Sequence, residues 1–167
     1  RNSNSLLSLI TEMLDLSKLE SNQMPIHLAQ GDIVRFIEFC LEPFFALAAD
    51  KGIVLEIKRN PMQINMDYDA SKIQYIINNL LSNAIKFTPL GGHIKVGLTV
   101  RSALFHLKIR DTGIGIEAKQ LANIFDRFYQ VDNSSTRAYA GSGIGLSLVK
   151  DLAKHTKVIV VNFGSPY

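Results

Sequence analysis

Residues 79–87 read NLLSNAIKF and combine helical periodicity with a polar stripe. At about 100° per residue, polar and aliphatic side chains fall on opposite sides of such a helix. The polar side carries Asn79, Ser82, Asn83 and Lys86, and the apolar side carries Ile76, Ile77, Leu80, Leu81 and Ala84. Taken alone, the polar stripe is typical of a solvent-exposed helix face. The functional alternative is that amide oxygens bind Mg²⁺ while a lysine one turn further on binds a phosphate.

Two glycine-rich segments lie downstream, DTGIGI at 111–116 and GSGIGL at 141–146. Asp111 follows a predicted strand, where a carboxylate can accept a hydrogen bond from an exocyclic amine. Glycines beside it would let the backbone approach a flat ligand. The second segment precedes a predicted helix, whose backbone N–H groups favour phosphate. In isolation the first segment is weak evidence, since a tight turn also explains it, and the second lacks the preceding strand and the spacing of a Rossmann motif.

The flanking periodicity predicts an α+β fold, a two-layer sandwich with three helices on one face of a mostly antiparallel mixed sheet. We expect one helix to begin after Asp32 and end near Ala49, and another to begin at Asp69 or Ser71 and end at Lys86. A third helix is predicted over 144–155, with a short one near 117–125. The predicted strands span 26–29, 53–58, 63–66, 93–100, 104–109 and 158–161.

Residues 5–20 are predicted to form a separate helix. Its apolar residues Leu6, Leu9, Met13 and Leu16 are spaced 3, 4 and 3 apart, as in a coiled-coil seam. An amphipathic helix packed on its own domain has the same spacing. Because Pro25 disfavours helix at the preceding residue, we place a domain boundary near it, with residues 1–22 as one unit and 23–167 as the other.

Composition excludes several functional classes. The 167 residues suffice for one domain and a short appendage. The net charge of +3 is spread along the sequence, which argues against nucleic-acid binding. The single cysteine, Cys40, lies in an apolar run and is expected in the core. No segment has the ~20 apolar residues of a membrane span, so we expect a cytoplasmic domain; a parent protein could still span a membrane.

Four segments in order resemble the N, first glycine, F and second glycine boxes of bacterial sensor histidine kinases. They are NLLSNAIKF, DTGIGI, IFDRFYQ at 124–130, and GSGIGL. The resemblance covers residues 1–156, since LDLSKLE at 14–20 is similar to the end of the family's second dimerisation helix. The family's ATP-binding domain is an α/β sandwich, in agreement with the predicted elements.

The resemblance implies that ATP and Mg²⁺ are bound. Asn83 matches the family's Mg²⁺ ligand, Asn79 lies near metal and phosphates, and Lys86 and Phe87 flank the nucleotide. Asp111 matches the residue that accepts a hydrogen bond from the adenine amino group. The adenine wall would be shaped by Gly113, Gly115 and Ile116. Residues 117–140 match the ATP lid, whose implied nucleotide contacts are Arg127 and Phe128. The implied phosphate-binding segment comprises Gly141, Gly143, Ile144, Gly145 and Leu146.

The resemblance also implies transfer of the γ-phosphate of ATP to a histidine of the dimerisation domain, in cis or in trans. The implied partners are that domain and a response regulator or receiver domain, in a homodimeric parent. None of the four histidines (His27, His93, His106 and His155) has the acceptor context of the family, so the acceptor is expected outside this chain. Two alternatives stay open: a pseudokinase-like scaffold, and a hydrolysing ATPase of the same superfamily, which would carry a glutamate where Asn79 stands.

Two positions depart from the family pattern. Gln130 stands where many members carry a basic residue. Residues 155–167 lack the family's His-Gly-Gly turn and its last glycine box. An incomplete sheet or an exposed edge strand is therefore expected at this end of the domain.

Overall fold

The structure is a computed structural model that describes residues 10, 13, 14, 17, 25–102, 104–130, 142–155 and 158–164. Three complete helices are described: α1 (Ile33–Asp50), α2 (Ala70–Phe87) and α3 (Gly145–His155). The strands are β1 (Ala29–Asp32), β2 (Val54–Asn60), β3 (Asn65–Tyr68), β4 (His93–Arg101), β5 (Leu104–Asp111) and β6 (Val158–Gly164). No helix within the described residues is both long and apolar enough to cross a bilayer.

The main sheet has the strand order β2-β4-β5-β6. Its central pair, β4 with β5, is an antiparallel hairpin, and the outer strands β2 and β6 each pair in parallel with their neighbour. A separate antiparallel pair joins β1 and β3. The predicted α+β sandwich is confirmed. Two of the three strand pairs in the main sheet are parallel, whereas the sequence predicts a mostly antiparallel sheet. The strands of each parallel pair are joined by a connection that contains a helix.

The core lies between the three helices and one face of this sheet. Alternate residues of the central hairpin point inward, as period-2 patterning requires: Ile94, Val96, Leu98, Phe105, Leu107 and Ile109 are all buried. The apolar side of α2 packs against them, and its predicted members Ile76, Ile77, Leu80, Leu81 and Ala84 are buried. Cys40 is also in the core, where burial raises the pKa of its thiol to about 11. This confirms its interpretation as a packing residue.

A buried ion pair fixes the start of α2. Asp69 is the N-cap, and its Oδ1 accepts from the backbone N–H of Lys72 at 3.2 Å. The Lys72 ammonium lies 2.7 Å from Asp69 Oδ2 and also donates to the carbonyl of Pro25 at 2.6 Å. The backbone N–H of His27 donates to the same carboxylate at 2.9 Å. The side chains of Asp69 and Lys72 are only 3% and 4% exposed, so the pair fastens the entering chain to this helix.

A lysine from outside the helix fixes the end of α2. The ammonium of Lys51, which follows α1, donates to the carbonyls of Ile85, of Lys86 at 3.0 Å and of Thr88 at 3.4 Å. The last carbonyls of a helix have no partner within it, and the negative end of the helix dipole favours a cation there. Lys51 therefore caps α2 from the neighbouring helix.

Two predicted elements are wrong. Residues 26–28 are not a strand, because the His27 N–H is bonded to Asp69 rather than to a neighbouring strand, and β1 begins at Ala29. Residues 117–125 form successive turns instead of a helix. Their bonds join residues three apart, as in Gln120 N–H to Glu117 at 2.8 Å and Asn123 N–H to Gln120 at 2.9 Å. The other helices and strands lie within a few residues of their predicted limits.

The predicted N-terminal helix lies mostly outside the described residues. Ile10, Met13, Leu14 and Ser17 are helical, and all four are exposed. Leu6, Leu9 and Leu16 of the expected seam are not among the described residues. The boundary between residues 1–22 and 23–167 therefore stays a prediction.

Candidate functional site

The polar side of α2 forms the floor of the site. Asn79, Asn83 and Lys86 are partly exposed on it, as the helical spacing predicted. The Asn79 amide nitrogen donates to the Tyr75 carbonyl at 3.2 Å, which directs its oxygen away from that carbonyl. The Lys86 ammonium lies 5.0 Å from the centroid of the Phe87 ring. Partial burial lowers the pKa of Lys86 below its ordinary value. An anion beside this lysine would favour its charged form.

The first glycine segment packs against the end of α2. Asp111 ends β5, and its Oδ1 accepts from the Gly113 N–H at 2.9 Å. The Ile114 N–H donates to the Phe87 carbonyl at 3.3 Å. A Cβ on Gly113 would lie 2.6 Å from Asp111 Oδ1 and 2.8 Å from the Phe87 oxygen. Only glycine therefore allows the carboxylate and the end of α2 to lie this close together.

The second glycine segment passes the start of the polar stripe. A Cβ on Gly145 would collide with the side-chain oxygen of Asn79. Gly143 has a φ of +71° and accepts at its carbonyl from the Phe128 N–H at 2.9 Å. A Cβ on Gly143 would lie 2.8 Å from the Phe128 Cα. The two glycine segments therefore contact α2 at different points, the first at the Phe87 carbonyl and the second at Asn79, while Phe128 of the F segment contacts Gly143.

A family comparison agrees with this arrangement. Residues 68–165, more than half of the chain, match the family described as histidine kinase-, DNA gyrase B- and HSP90-like ATPases. The chain belongs to this ATPase family. The matched range contains α2, both glycine segments and the strands that support them.

The curated relatives of this ATPase domain are histidine kinases. It is 36% identical over 154 residues to histidine kinase P4 of Formosa agariphila, covering 90% of this chain and 11% of that protein. It is 32% identical over 153 residues to sensor histidine kinase WalK of Bacillus subtilis, covering 89% of this chain and 24% of that protein. The chain thus spans a quarter or less of the length of these relatives.

Solved structures give the same fold. Full-length ShkA in complex with AMPPNP superposes with a TM-score of 0.79 at 26% identity, covering 92% of this chain and 32% of that one. The histidine kinase AdeS of Acinetobacter baumannii gives a TM-score of 0.73 at 23% identity, covering 91% of this chain and 68% of that one. The second likeness supports the fold alone.

The other predicted site residues of this ATPase domain have varied environments. Ile144 is fully buried and its N–H donates to Ser142 Oγ at 3.2 Å, while Leu146 packs against the core. The side chains of both residues therefore fix the glycine segment to the protein interior. Ile116 and Arg127 are exposed, and Gly115 has a φ of +69°. Gly141 and residues 131–140 of the expected lid lie outside the described residues.

Two residues that hold α2 in place were missed from the sequence. Lys51 caps the end of α2, which carries Lys86 and Phe87, and Lys72 forms the buried pair at its start. Lys51 lies in a turn that reads as an ordinary helix end, so its reach to another helix has no local signal. Lys72 could have been found, because a lysine three residues after an aspartate N-cap lies within reach of that carboxylate.

Carboxylates contribute little to the candidate metal position. No group of three or more His, Cys, Asp or Glu side chains able to hold a metal occurs among the described residues. Helix α2 contains no aspartate or glutamate. The side-chain oxygens that a metal ion could bind along the polar face of α2 are therefore the neutral ones of Asn79, Ser82 and Asn83.

Proposed function

We propose that this domain transfers the γ-phosphate of ATP to a histidine on a dimerisation domain that lies outside these residues. One observation carries the proposal: the second glycine segment lies against Asn79 on the polar side of α2, and the first lies against the Phe87 backbone at the end of the same helix. Glycines let a backbone approach a ligand closely, and the N-terminus of the helix that follows the second segment favours phosphate.

The adenine end of the proposed site is formed by Asp111, Gly113 and Phe87. Asp111 uses Oδ1 to hold Gly113, and its second oxygen can accept from the amino group of adenine. Guanine presents a carbonyl oxygen at the equivalent place, which the carboxylate would repel. The Lys86 and Phe87 pair would then flank the nucleotide between base and phosphates.

The phosphate end is formed by Gly143, Gly145 and the start of α3. Helix α3 has 11 residues, so its N-terminus offers unsatisfied N–H groups and the positive end of a helix dipole. Asn79 lies against Gly145, and Asn83 is one turn further along α2. Mg²⁺ fits this donor set, because it accepts few protein oxygens and takes the rest of its ligands from phosphates and water. Bound there, it would neutralise charge on the phosphates.

Transfer is favoured over hydrolysis by the identity of residue 79. Activating a water molecule requires a proton acceptor, and the side-chain amide of Asn79 cannot accept that proton. No carboxylate of α2 could replace it. The phosphate acceptor would instead be a histidine brought to the site by the dimerisation domain.

The proposal also names the partners and the setting. The curated relatives that name a sensor or hybrid kinase support a homodimeric parent that passes the phosphate to a response regulator or receiver domain. We place this domain on the cytoplasmic side of an inner-membrane sensor, where ATP is available.

Calorimetry on Asn83→Ala tests the metal and nucleotide assignment. We expect MgATP affinity to fall by about tenfold or more, equivalent to about 1.4 kcal/mol, with little change in metal-free ATP affinity. Asn78→Ala is the matched control, because Asn78 is an exposed asparagine of the same helix outside the polar stripe. Equal MgATP affinity for wild type and Asn83→Ala would refute the metal assignment. If the wild-type chain binds no MgATP, the scaffold alternative is correct.

A transfer assay tests the reaction. The purified chain, incubated with MgATP and a dimerisation domain carrying the acceptor histidine, should produce an acid-labile, base-stable phosphoprotein. The chain alone should neither hydrolyse ATP steadily nor label itself. Steady hydrolysis by the isolated chain would instead establish the ATPase alternative.

A further inference from the structure

Helix α1 carries an exposed stripe on the side that faces away from the core. We call Arg35, Phe39, Pro43, Ala46 and Asp50 the α1 stripe, and all five residues are exposed. At about 100° per residue, the other four lie within about 40° of Phe39 around the helix. The stripe runs from the third residue of α1 to the last. It therefore has an apolar middle, in which Phe39 is 63% exposed, and one charged residue at each end.

The two charges of the α1 stripe lie at the helix ends where the helix dipole disfavours them. Arg35 is in the first turn, which has no acidic residue, and Asp50 is in the last turn, which has no basic residue. The start of a helix favours anions and its end favours cations. Arg35 lies 3.8 Å from Asp32, yet its side chain is 85% exposed. Lys51 follows Asp50, but its ammonium donates to carbonyls of α2. The stability of α1 alone therefore does not explain this placement of charges.

The α1 stripe is complementary to a second copy of itself in antiparallel orientation. A two-fold axis midway between positions 42 and 43 relates position 35 to 50 and position 39 to 46. Arg35 then lies beside the partner's Asp50, and the ring of Phe39 lies against the small side chain of the partner's Ala46. The partner's Asp50 also reaches the start of α1, where the dipole favours an anion, and the partner's Arg35 reaches its end. Charge and size both match in this arrangement.

We propose that the α1 stripe binds the same stripe of a second copy of this chain as an antiparallel helix pair. Exposed apolar residues alone would not support this, because single ones are common on protein surfaces. The support is the matching of charge and size along the stripe, which a two-fold axis applies twice. No residue of the stripe is a candidate nucleotide contact, so the proposal does not rest on the proposed function.

The N-terminal segment of the same chain fits the α1 stripe less well. Residues 5–20 contain three acidic residues and one basic residue, Lys18. Lys18 is within six residues of each of these acidic residues, whereas Arg35 and Asp50 lie at opposite ends of α1. The segment therefore cannot place a carboxylate beside Arg35 and an ammonium beside Asp50 at the same time. A second copy of the stripe does both.

Glu42 limits the strength of this association. It is exposed beside the α1 stripe and next to the two-fold axis, so the Glu42 side chains of the two copies approach each other. Like charges that meet at an interface oppose binding. A single pair of helices also buries less than the about 1,200 Å² of a stable interface. We therefore expect a dissociation constant of about 0.1 mM, and Glu42→Gln should strengthen dimerisation about threefold.

Sedimentation velocity on the full chain, at concentrations up to about 1 mM, tests the proposal. Arg35→Glu and Asp50→Arg should each weaken dimerisation about tenfold, because each substitution turns two attractive pairs into repulsive ones. Both substitutions suit the helix dipole, so α1 should stay folded, and thermal melting verifies this. An equimolar mixture of the two variants should dimerise again, because a heterodimer has opposite charges at both ends. Lys154→Glu, at an exposed lysine of α3, is the matched control and should change dimerisation by less than about twofold.

A second pair of variants tests the apolar middle of the stripe. Phe39→Gln should weaken dimerisation about tenfold, because it removes the aromatic contact from both halves of the symmetric interface. Phe45→Gln is the matched control, since Phe45 is also on α1 and 41% exposed but lies about 120° around the helix from Phe39.

Dimerisation that is lost in each charge variant and restored in their mixture supports the proposal. A chain that stays monomeric at every concentration would overturn it, as would a mixture that dimerises no better than its components. Equal losses in Phe39→Gln and Phe45→Gln would also contradict the assigned stripe. Met13→Gln examines the N-terminal helix, where Met13 is 47% exposed. Dimerisation that is lost in Met13→Gln but survives both charge reversals would assign the contact to that helix instead.

Discussion

The two ends of helix α2 are held by different means. At its start, the Asp69 and Lys72 side chains are almost fully buried and satisfy each other and the incoming backbone at Pro25 and His27. At its end, Lys51 donates to carbonyls from outside the helix, while Lys86 and Phe87 remain partly exposed. The start of α2 therefore stabilises the fold, whereas its end positions side chains that a ligand can reach.

This difference separates effects on folding from effects on binding. A buried ion pair is costly to break, because removing one partner leaves the other charge without compensation. A lysine that caps a helix from its surroundings can be removed at lower cost, since water can reach the carbonyls. Substitutions at the start of α2 should therefore cause the larger loss of stability. For the same loss of stability, substitutions at its end should weaken ATP binding more.

The largest effect is expected for Asp69→Ala. It leaves the Lys72 ammonium buried without its carboxylate and should lower the free energy of unfolding by about 3–5 kcal/mol, measured by urea denaturation. The matched control is Asp151→Ala, which breaks the exposed pair with Lys154 and should cost less than about 1 kcal/mol. Similar losses in the two variants would show that the start of α2 is not a special anchor.

Lys51→Met should have the next largest effect. It removes a charged donor from three carbonyls and should lower the free energy of unfolding by about 1.5–3 kcal/mol. It should also weaken MgATP binding several-fold, because the backbone that carries Lys86 and Phe87 loses its support. Lys154→Met, at an exposed lysine, is the control. Unchanged ATP affinity in a destabilised Lys51→Met protein would remove Lys51 from the site.

A smaller effect is expected for Gly113→Ala. The new Cβ must displace Asp111 or the end of α2, at a cost of about 1–3 kcal/mol shared between stability and binding. ATP affinity should fall while the affinity for free pyrophosphate changes little, since the strain lies at the adenine end. Gly97→Ala in β4 is the control, because its Cβ meets no atom closer than 3.7 Å. Loss of pyrophosphate affinity in Gly113→Ala would contradict this placement.

The smallest effect concerns pH. Burial of Asp69 raises the pKa of its carboxyl, but hydrogen bonds from Lys72 and from the His27 backbone outweigh burial and hold that pKa below its ordinary value. The folded state therefore binds fewer protons here than the unfolded state, and stability rises with pH. The contribution should be complete above about pH 4 and lost as pH falls further. The stability difference between wild type and Asp69→Ala should shrink in that range, and a constant difference would contradict it.

The sequence predicts elements better than it predicts contacts between them. Strong periodicity and an aspartate N-cap located α1 and α2, and alternation located the β4–β5 hairpin. The error at residues 26–28 arose because an N–H available for strand pairing bonds instead to Asp69, 42 residues away. The error at 117–125 arose because apolar spacing cannot distinguish a helix from successive tight turns. Both depend on interactions that a local pattern does not contain.

The sequence named candidate site residues but not their geometry. Ordered motifs named Asn79, Asp111 and the glycines through a family resemblance. That Gly145 lies against the Asn79 oxygen, or that Lys51 reaches the end of α2, depends on how the helices pack. The roles of individual residues toward ATP and Mg²⁺ stay predictions that the binding experiments test.

The mixed sheet has a consequence for the order of folding. The β4–β5 hairpin joins neighbouring segments, whereas the parallel pairs β2–β4 and β5–β6 join segments separated by a helix. Closing long chain segments costs entropy before contacts compensate, so pairing of distant strands is slow. We expect the hairpin and α2 to form the nucleus and the outer strands to join later. In stopped-flow experiments, Leu107→Ala in the hairpin should then slow refolding, whereas Ile57→Val in β2 should mainly accelerate unfolding.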